Sequence, residues 1–230
     1  MQVQSARAIV VLVCGVLAAT AAAQSTRSVA FPPMPPPAEP LGFEPAESGA
    51  LFVGIREFTH DPSLTEVRYA VDDAVDLAYA MALEQPVAFV EPNRVVLAIS
   101  GEPQKPESRE RLRVLRERGA KTHPAGQTDI LVLLERQARM VGKKGILIVG
   151  IATHGFSAEG LHYLIASNSM LRHRESAVAT HKLLDIAAKS AATRSLILLD
   201  ACRSRLVSDG TRSAGKADRR SAAPMLDGLA

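Results

Sequence analysis

Residues 145–155 read GILIVGIATHG, and residues 195–202 read SLILLDAC. Each is an unbroken apolar run of Ile, Leu and Val that ends in small and polar residues. The first run closes on an imidazole, His154, and the second on a thiol, Cys202. Strands that alternate polar with apolar residues are half-buried. Runs without alternation are buried on both faces, as in parallel sheets covered by helices. Working outward, Ala50–Ile55 (ALFVGI) and Arg94–Ile99 (RVVLAI) have the same character. Between these strands lie helical stretches. Tyr69 to Leu83 spaces Ala70, Ala74, Leu77, Ala78 and Met81 along one face, with Asp72, Asp73 and Asp76 among them. Glu107 to Arg118 reads as a solvated charged helix. Thr128 is placed to cap a helix from Asp129 to Met140, and Thr180 to cap one reaching Ala191. Gly155 to Ala166 reads as a hairpin or loop excursion. Strands alternating with helices predict an α/β fold, a parallel-rich sheet with helices on both faces in three αβα layers.

The two apolar runs also locate a site. In open α/β sheets ligands bind beyond the carboxyl ends of the strands. His154 is expected just past the end of the third strand, and Cys202 just past the end of the fourth.

The ends of the chain differ from its middle. Arg7 precedes an apolar run from Ile9 to Ala19, and Ala21-Ala22-Ala23 then offers the small residues a signal peptidase requires. The run is shorter than the roughly 20 residues that cross a bilayer. Residues 1–23 are therefore expected to be an export signal, giving a periplasmic or secreted protein with no membrane span once the signal is removed. Half of the 14 prolines fall between Pro32 and Pro45, so residues 24–47 read as an extended linker. The folded domain is expected over 48–206. Residues 207–230 read as a flexible basic tail, or as the shortened remainder of the domain.

A 47% hydrophobic and 22% charged composition is that of a folding chain. Aromatics at 4% with no Trp, and a net charge of only +3, give no support to nucleic-acid stacking. Cys14 leaves with the signal, so the mature chain keeps Cys202 as its one cysteine and no internal disulfide can form. A lone thiol in an oxidising compartment is either buried and inert or held as a nucleophile. A thiol attacks a carbonyl only as thiolate, which calls for a neighbouring imidazole. Of the six histidines, His154 is the best placed; His60 and His123 read as loop residues, and His162, His173 and His181 as surface. There is no C-x-x-C pair, G-x-S-x-G elbow or Gly-rich phosphate loop, and the histidine spacing does not gather a metal site. No metal or cofactor is expected.

Ala201-Cys202-Arg203, with a histidine roughly 50 residues upstream, fits the caspase nucleophile pattern. With ALFVGI, Val67-Arg68-Tyr69-Ala70-Val71-Asp72-Asp73-Ala74, His154-Gly155 and Asp200-Ala201-Cys202 in that order, the chain resembles the caspase and metacaspase family over Ala50 to Arg205. The resemblance implies a caspase-like fold and a cysteine-type endopeptidase acting on a peptide or protein substrate. Its nucleophile would be Cys202, its general acid/base His154, and its oxyanion donors the amides of Gly155 and Cys202. In the metacaspase branch it further implies that Asp200 and Asp73 line the first specificity pocket, so cleavage is expected after Arg or Lys. Apart from the resemblance, Asp200 reads as a strand-end turn residue and Asp73 as a helix acid favoured by the dipole.

The chain departs from the family where Ala152-Thr153 stands before His154-Gly155 in place of Ser-Gly, and where Ser204 stands in place of glycine. The short stretch after Cys202 leaves an alternative, a catalytically inactive caspase-like module that binds peptides. The basic residues of that stretch also raise self-cleavage within it. Some metacaspases respond to calcium; nothing in this sequence identifies a calcium site.

Overall fold

All seven residues of Gly49–Ile55 are buried, and this strand lies at the middle of the sheet. A computed structural model describes residues 8–13, 42–84 and 88–205, with 8–13 and 202–205 as backbone. The expected signal cleavage site, most of the Pro-rich linker and the basic tail lie outside the described residues.

The strands are β1 (Ala8–Val13), β2 (Gly49–Ile55), β3 (Val95–Ser100), β4 (Lys121–His123), β5 (Ile146–Ala158), β6 (Leu161–Leu164), β7 (Val178–Ala179) and β8 (Arg194–Arg205). The helices are α1 (Ala70–Leu83), α2 (Pro106–Glu117), α3 (Gln127–Met140) and α4 (Thr180–Ala188). Sheet order is β1-β8-β5-β2-β3-β4, parallel throughout, and β6 and β7 extend it antiparallel from the end of β5. The apolar segment Ala8–Val13 runs along β8, pairing with Arg194 to Leu199.

The period of two sorts each strand between two cores. Leu51, Val53, Ile55, Leu147, Val149, Ile151, Ile197 and Leu199 pack with Leu134, Ala138 and Leu183 from α3 and α4. Ala50, Phe52, Leu97 and Ile148 pack with Val71, Ala74, Val75 and Leu115 from α1 and α2. The chain is thus an α/β protein, a mostly parallel sheet between two helical layers, as the apolar runs predict. Close packing of α1 on β2 depends on Gly54, where a Cβ would meet the Ala70 carbonyl oxygen at 2.6 Å and Val71 Cα at 2.8 Å.

Several boundaries differ from expectation. The folded unit begins ahead of Ser48: Phe43 packs against Phe89, and the Glu44 amide and carboxylate bind the carbonyl and ammonium of Lys144. Thr128 does not cap α3; Gly126 holds the N-cap position and the Asn168 side chain accepts from the Gln127 amide. Thr180 is the first residue of α4 and not its cap, because β7 delivers the chain through Ala179. That helix stops at Ala188. His123, read as a loop residue, lies in the short edge strand β4.

The largest difference concerns β5 and β8. The reading ends β5 at Ile151 and β8 at Leu199, where polar residues begin, yet β5 continues to Ala158 and β8 to Arg205. Burying Thr153 would cost an unmet hydroxyl; its Oγ1 donates to the Ile165 carbonyl at 2.7 Å and removes that cost. The chain then folds back as β6, which supplies ladder partners from Gly155 to Ala158. His154 therefore lies inside a strand and not beyond one.

Candidate active site

In the β5–β8 ladder Ala152 pairs with Asp200, Thr153 with Ala201, His154 with Cys202 and Gly155 with Arg203. His154 and Cys202 are thus direct neighbours across one strand spacing of about 4.8 Å. Ala201 packs toward α3 and α4. Asp200, one residue before it, lies on the α1 side, within electrostatic reach of Asp73. Alternation gives position 202 the same face as position 200.

The His154 ring is fixed from two directions. It stacks on Phe58 with centroids 5.4 Å apart and planes at 19°. Its Nε2 lies 2.9 Å from the Thr65 carbonyl oxygen. A carbonyl only accepts, so Nε2 carries the proton of this bond, and the neutral ring keeps its lone pair on Nδ1. Both contacts come from the loop between β2 and α1, where Asp61-Pro62 marks a turn but nothing in the sequence says that Thr65 reaches His154.

That loop is held by its own polar contacts. The Asp61 carboxylate accepts from the Ser63 amide and hydroxyl and, across the molecule, from the Leu171 amide at 2.8 Å. Thr59 binds the Ser167 carbonyl through both its amide and its hydroxyl. These bonds, that of Ser63 first and that of Leu171 next, hold the Asp61 carboxyl below the usual 3.8. A depressed folded value adds stability that is full above the unfolded value and is lost as pH falls through the folded one. Asp61→Ala should therefore speed amide exchange at Ser63 and Leu171 at neutral pH. In the unaltered protein the same loosening should appear only on acidification below 3.8. Exchange measured by NMR against pH checks both.

Of the expected oxyanion donors, Gly155 has a defined setting. The His154 carbonyl accepts from the Ile165 amide at 2.8 Å, toward β6. The two polar groups of a trans peptide point in opposite directions, so the Gly155 N–H faces β8. Cys202 contributes its backbone to that same ladder.

Asp73 lies in the first turn of α1 and is exposed. Partial desolvation pushes its carboxyl above the usual range; Asp200, Asp72 and Asp76 push it the same way, and the Lys105 ammonium opposes them. Its neighbours have separate duties. Asp72 is fully buried and accepts from the Gln104 and Lys105 amides, tying α1 to the start of α2. Asp76 pairs with Arg111 at 3.0 Å. No ion pair engages Asp73 or Asp200 among the described side chains. Of the five other histidines, His60 binds Thr59, His162 binds Ser157 and His173 binds Glu175.

Models of known protein families give no match to this chain, and no curated protein matches it. Among solved structures, protein GSU0716 from Geobacter sulfurreducens is similar at 15% identity with a TM-score of 0.43, over 70% of this chain and 52% of that one. The chain thus spans about half the length of that protein.

Proposed function

We propose that this chain is a cysteine endopeptidase in which Cys202 is the nucleophile and His154 the general acid/base. The observation that carries the reading is the direct pairing of positions 154 and 202, with the imidazole held so that Nδ1 keeps its lone pair. His154 takes the proton of the Cys202 thiol, and the sulfur adds to the scissile carbonyl carbon. The resulting oxyanion would be met by the amides of Gly155 and Cys202. Collapse of the tetrahedral adduct breaks the C–N bond, and the imidazolium gives its proton to the leaving amine. A water molecule, deprotonated by His154, then hydrolyses the thioester and restores the thiol. The chemistry uses no metal or cofactor.

Asp73 and Asp200 supply the preference. Two carboxylates sharing one face favour a cationic side chain, so hydrolysis is expected after Arg or Lys. Replacing both with Asn should lower kcat/KM for an Arg peptide by roughly a hundredfold, with less effect on a neutral peptide. Asp73→Asn alone carries a second signature. Its carboxyl has a raised folded value, so stability falls as pH rises from the unfolded 3.8 through the folded value and stays reduced above it. The Asn variant should melt higher than the parent at neutral pH and equally in strong acid. A preference for Asp at the cleaved position would sink the pocket assignment and leave the dyad standing.

One observation favours the alternative, an inactive peptide-binding module. The β5–β8 ladder runs past the dyad to Ser157 and Arg205, and it turns the Gly155 amide toward β8. Catalysis through that amide requires this end of the ladder to open. Labelling of Cys202 by an arginyl electrophile, lost in His154→Ala, identifies the enzyme; labelling that does not depend on His154 identifies the module. Export to the periplasm or the medium belongs to the same proposal, and recovery of processed protein outside the cytoplasm tests it.

A further inference from the structure

We infer that Glu66 is a positioning residue for His154: gripped by Arg56, its carboxylate fixes the peptide whose carbonyl oxygen orients the imidazole. The inference rests on the dyad proposed above and concerns how one of its members is held in place.

Three observations carry it. First, the carbonyl that lies 2.9 Å from His154 Nε2 belongs to the planar peptide joining Thr65 to Glu66, so whatever fixes Glu66 also fixes the acceptor. Second, Glu66 is tied to the end of β2 through both side chain and backbone. The Arg56 guanidinium donates from Nε to one carboxylate oxygen at 3.2 Å and from Nη2 to the other at 3.5 Å, while the next amide, that of Val67, donates to the Arg56 carbonyl at 3.2 Å. Third, Arg56 is itself anchored. Its side chain is only 17% exposed, its Nη1 donates to the Glu102 carbonyl at 3.3 Å, and its amide donates to the Ser100 carbonyl of β3 at 3.0 Å.

A guanidinium fork meets a carboxylate at two points, which sets direction as well as distance. Arg56 follows the last residue of β2 and Glu66 comes ten residues later, so the pair closes the neck of the β2–α1 loop. On the other side of Thr65, the Leu64 amide donates to the Asp61 carbonyl at 3.1 Å, and the Leu64 side chain joins the apolar cluster that includes Phe58 and Phe156. Between these two anchors the Thr65–Glu66 peptide has little freedom to rotate. An exposed ion pair adds little to stability, but this one supplies geometry to a general base, where a displacement of about 1 Å can cost up to a hundredfold in rate. Glu57 provides an internal control. Its carboxylate lies 3.5 Å from the same guanidinium and has no other ion pair or hydrogen bond among the described residues.

The test is the NMR spectrum of the His154 ring nitrogens in full-length Cys202→Ala protein, with Glu66→Ala, Glu66→Gln and Glu57→Ala added to that background. The same three changes in the parent are assayed for kcat and KM on an Arg peptide. A proton held on Nε2 keeps the two ring nitrogens widely separated in shift, and exchange between tautomers draws them together. Glu66→Ala should narrow that separation and lower kcat about three- to fivefold with KM unchanged. Glu66→Gln, whose amide oxygen still accepts from Arg56, and Glu57→Ala should both match the parent. Glu66 is exposed, and equal melting temperatures verify that the fold is intact. Unchanged ring nitrogens in Glu66→Ala, or equal narrowing in Glu57→Ala, overturn the inference whatever the activity. Narrowing confined to Glu66→Ala, in a protein whose parent hydrolyses no peptide, upholds the positioning role and removes the peptidase reading.

Discussion

Cys202→Ala should abolish hydrolysis of Arg- and Lys-containing peptides, and His154→Ala should reduce kcat by on the order of 10³- to 10⁴-fold. The asymmetry follows from the chemistry. Without sulfur no covalent adduct forms, whereas without the imidazole a small thiolate fraction still reacts at neutral pH. His154→Ala should therefore recover activity as pH rises toward the ordinary thiol range near 8.5, while Cys202→Ala should not. The two losses should not add in the double variant, since both residues serve one step. Because His154 lies half-buried on the surface of the sheet, stacked on Phe58, its loss should lower stability little. A pH–rate profile of the recombinant protein on one Arg peptide, beside circular dichroism of each variant, separates a chemical defect from a folding one. Equal activity in Cys202→Ala would end the peptidase reading.

Phe52→Ala is expected to give the largest loss of stability. Phe52 is fully buried, the largest such side chain in the core, and it sits on the central strand β2 facing α1. The sheet is shaped around it: a Cβ on Gly150, one strand over, would meet Phe52 Cδ1 at 2.8 Å and Leu77 Cδ2 at 2.9 Å. Removing the ring leaves a cavity between sheet and helix that a rigid β backbone cannot close, at a cost of about 3–5 kcal/mol. For a domain of this size that is a fall in Tm of roughly 10 °C. Gly150→Ala, which forces extra volume against the same ring, should also destabilise; combined with Phe52→Leu, part of that loss should be recovered because the two share one space. Thermal melts of the four proteins would show it. Additive losses would mean that position 150 is crowded by something other than the ring.

The alternation of strands and helices was legible because burial on both faces imposes unbroken apolar runs, and GILIVGI and SLILL have no other use for so many branched side chains. The candidate residues were legible by type: an imidazole and a thiol following such runs, and acids in the first turn of a helix. Their setting was not. Polar residues predict the end of β5 at Ile151, yet Thr153 and His154 continue it, because the Ile165 carbonyl and the β6 return strand satisfy what local sequence leaves unmet. Asn168 caps α3 from a distant loop in place of the local Thr128.

The layer architecture and the identity of the chemically able groups can be read from short stretches of chain, since hydrophobic periodicity and residue type are local properties. That position 154 stands opposite 202, that Thr65 and Phe58 orient the imidazole, and that Asp72 ties α1 to the start of α2 are visible only once the chain is folded. Register, ring orientation and charge pairing depend on which distant segments meet. Those meetings follow from packing the whole chain, and no short stretch of it encodes them.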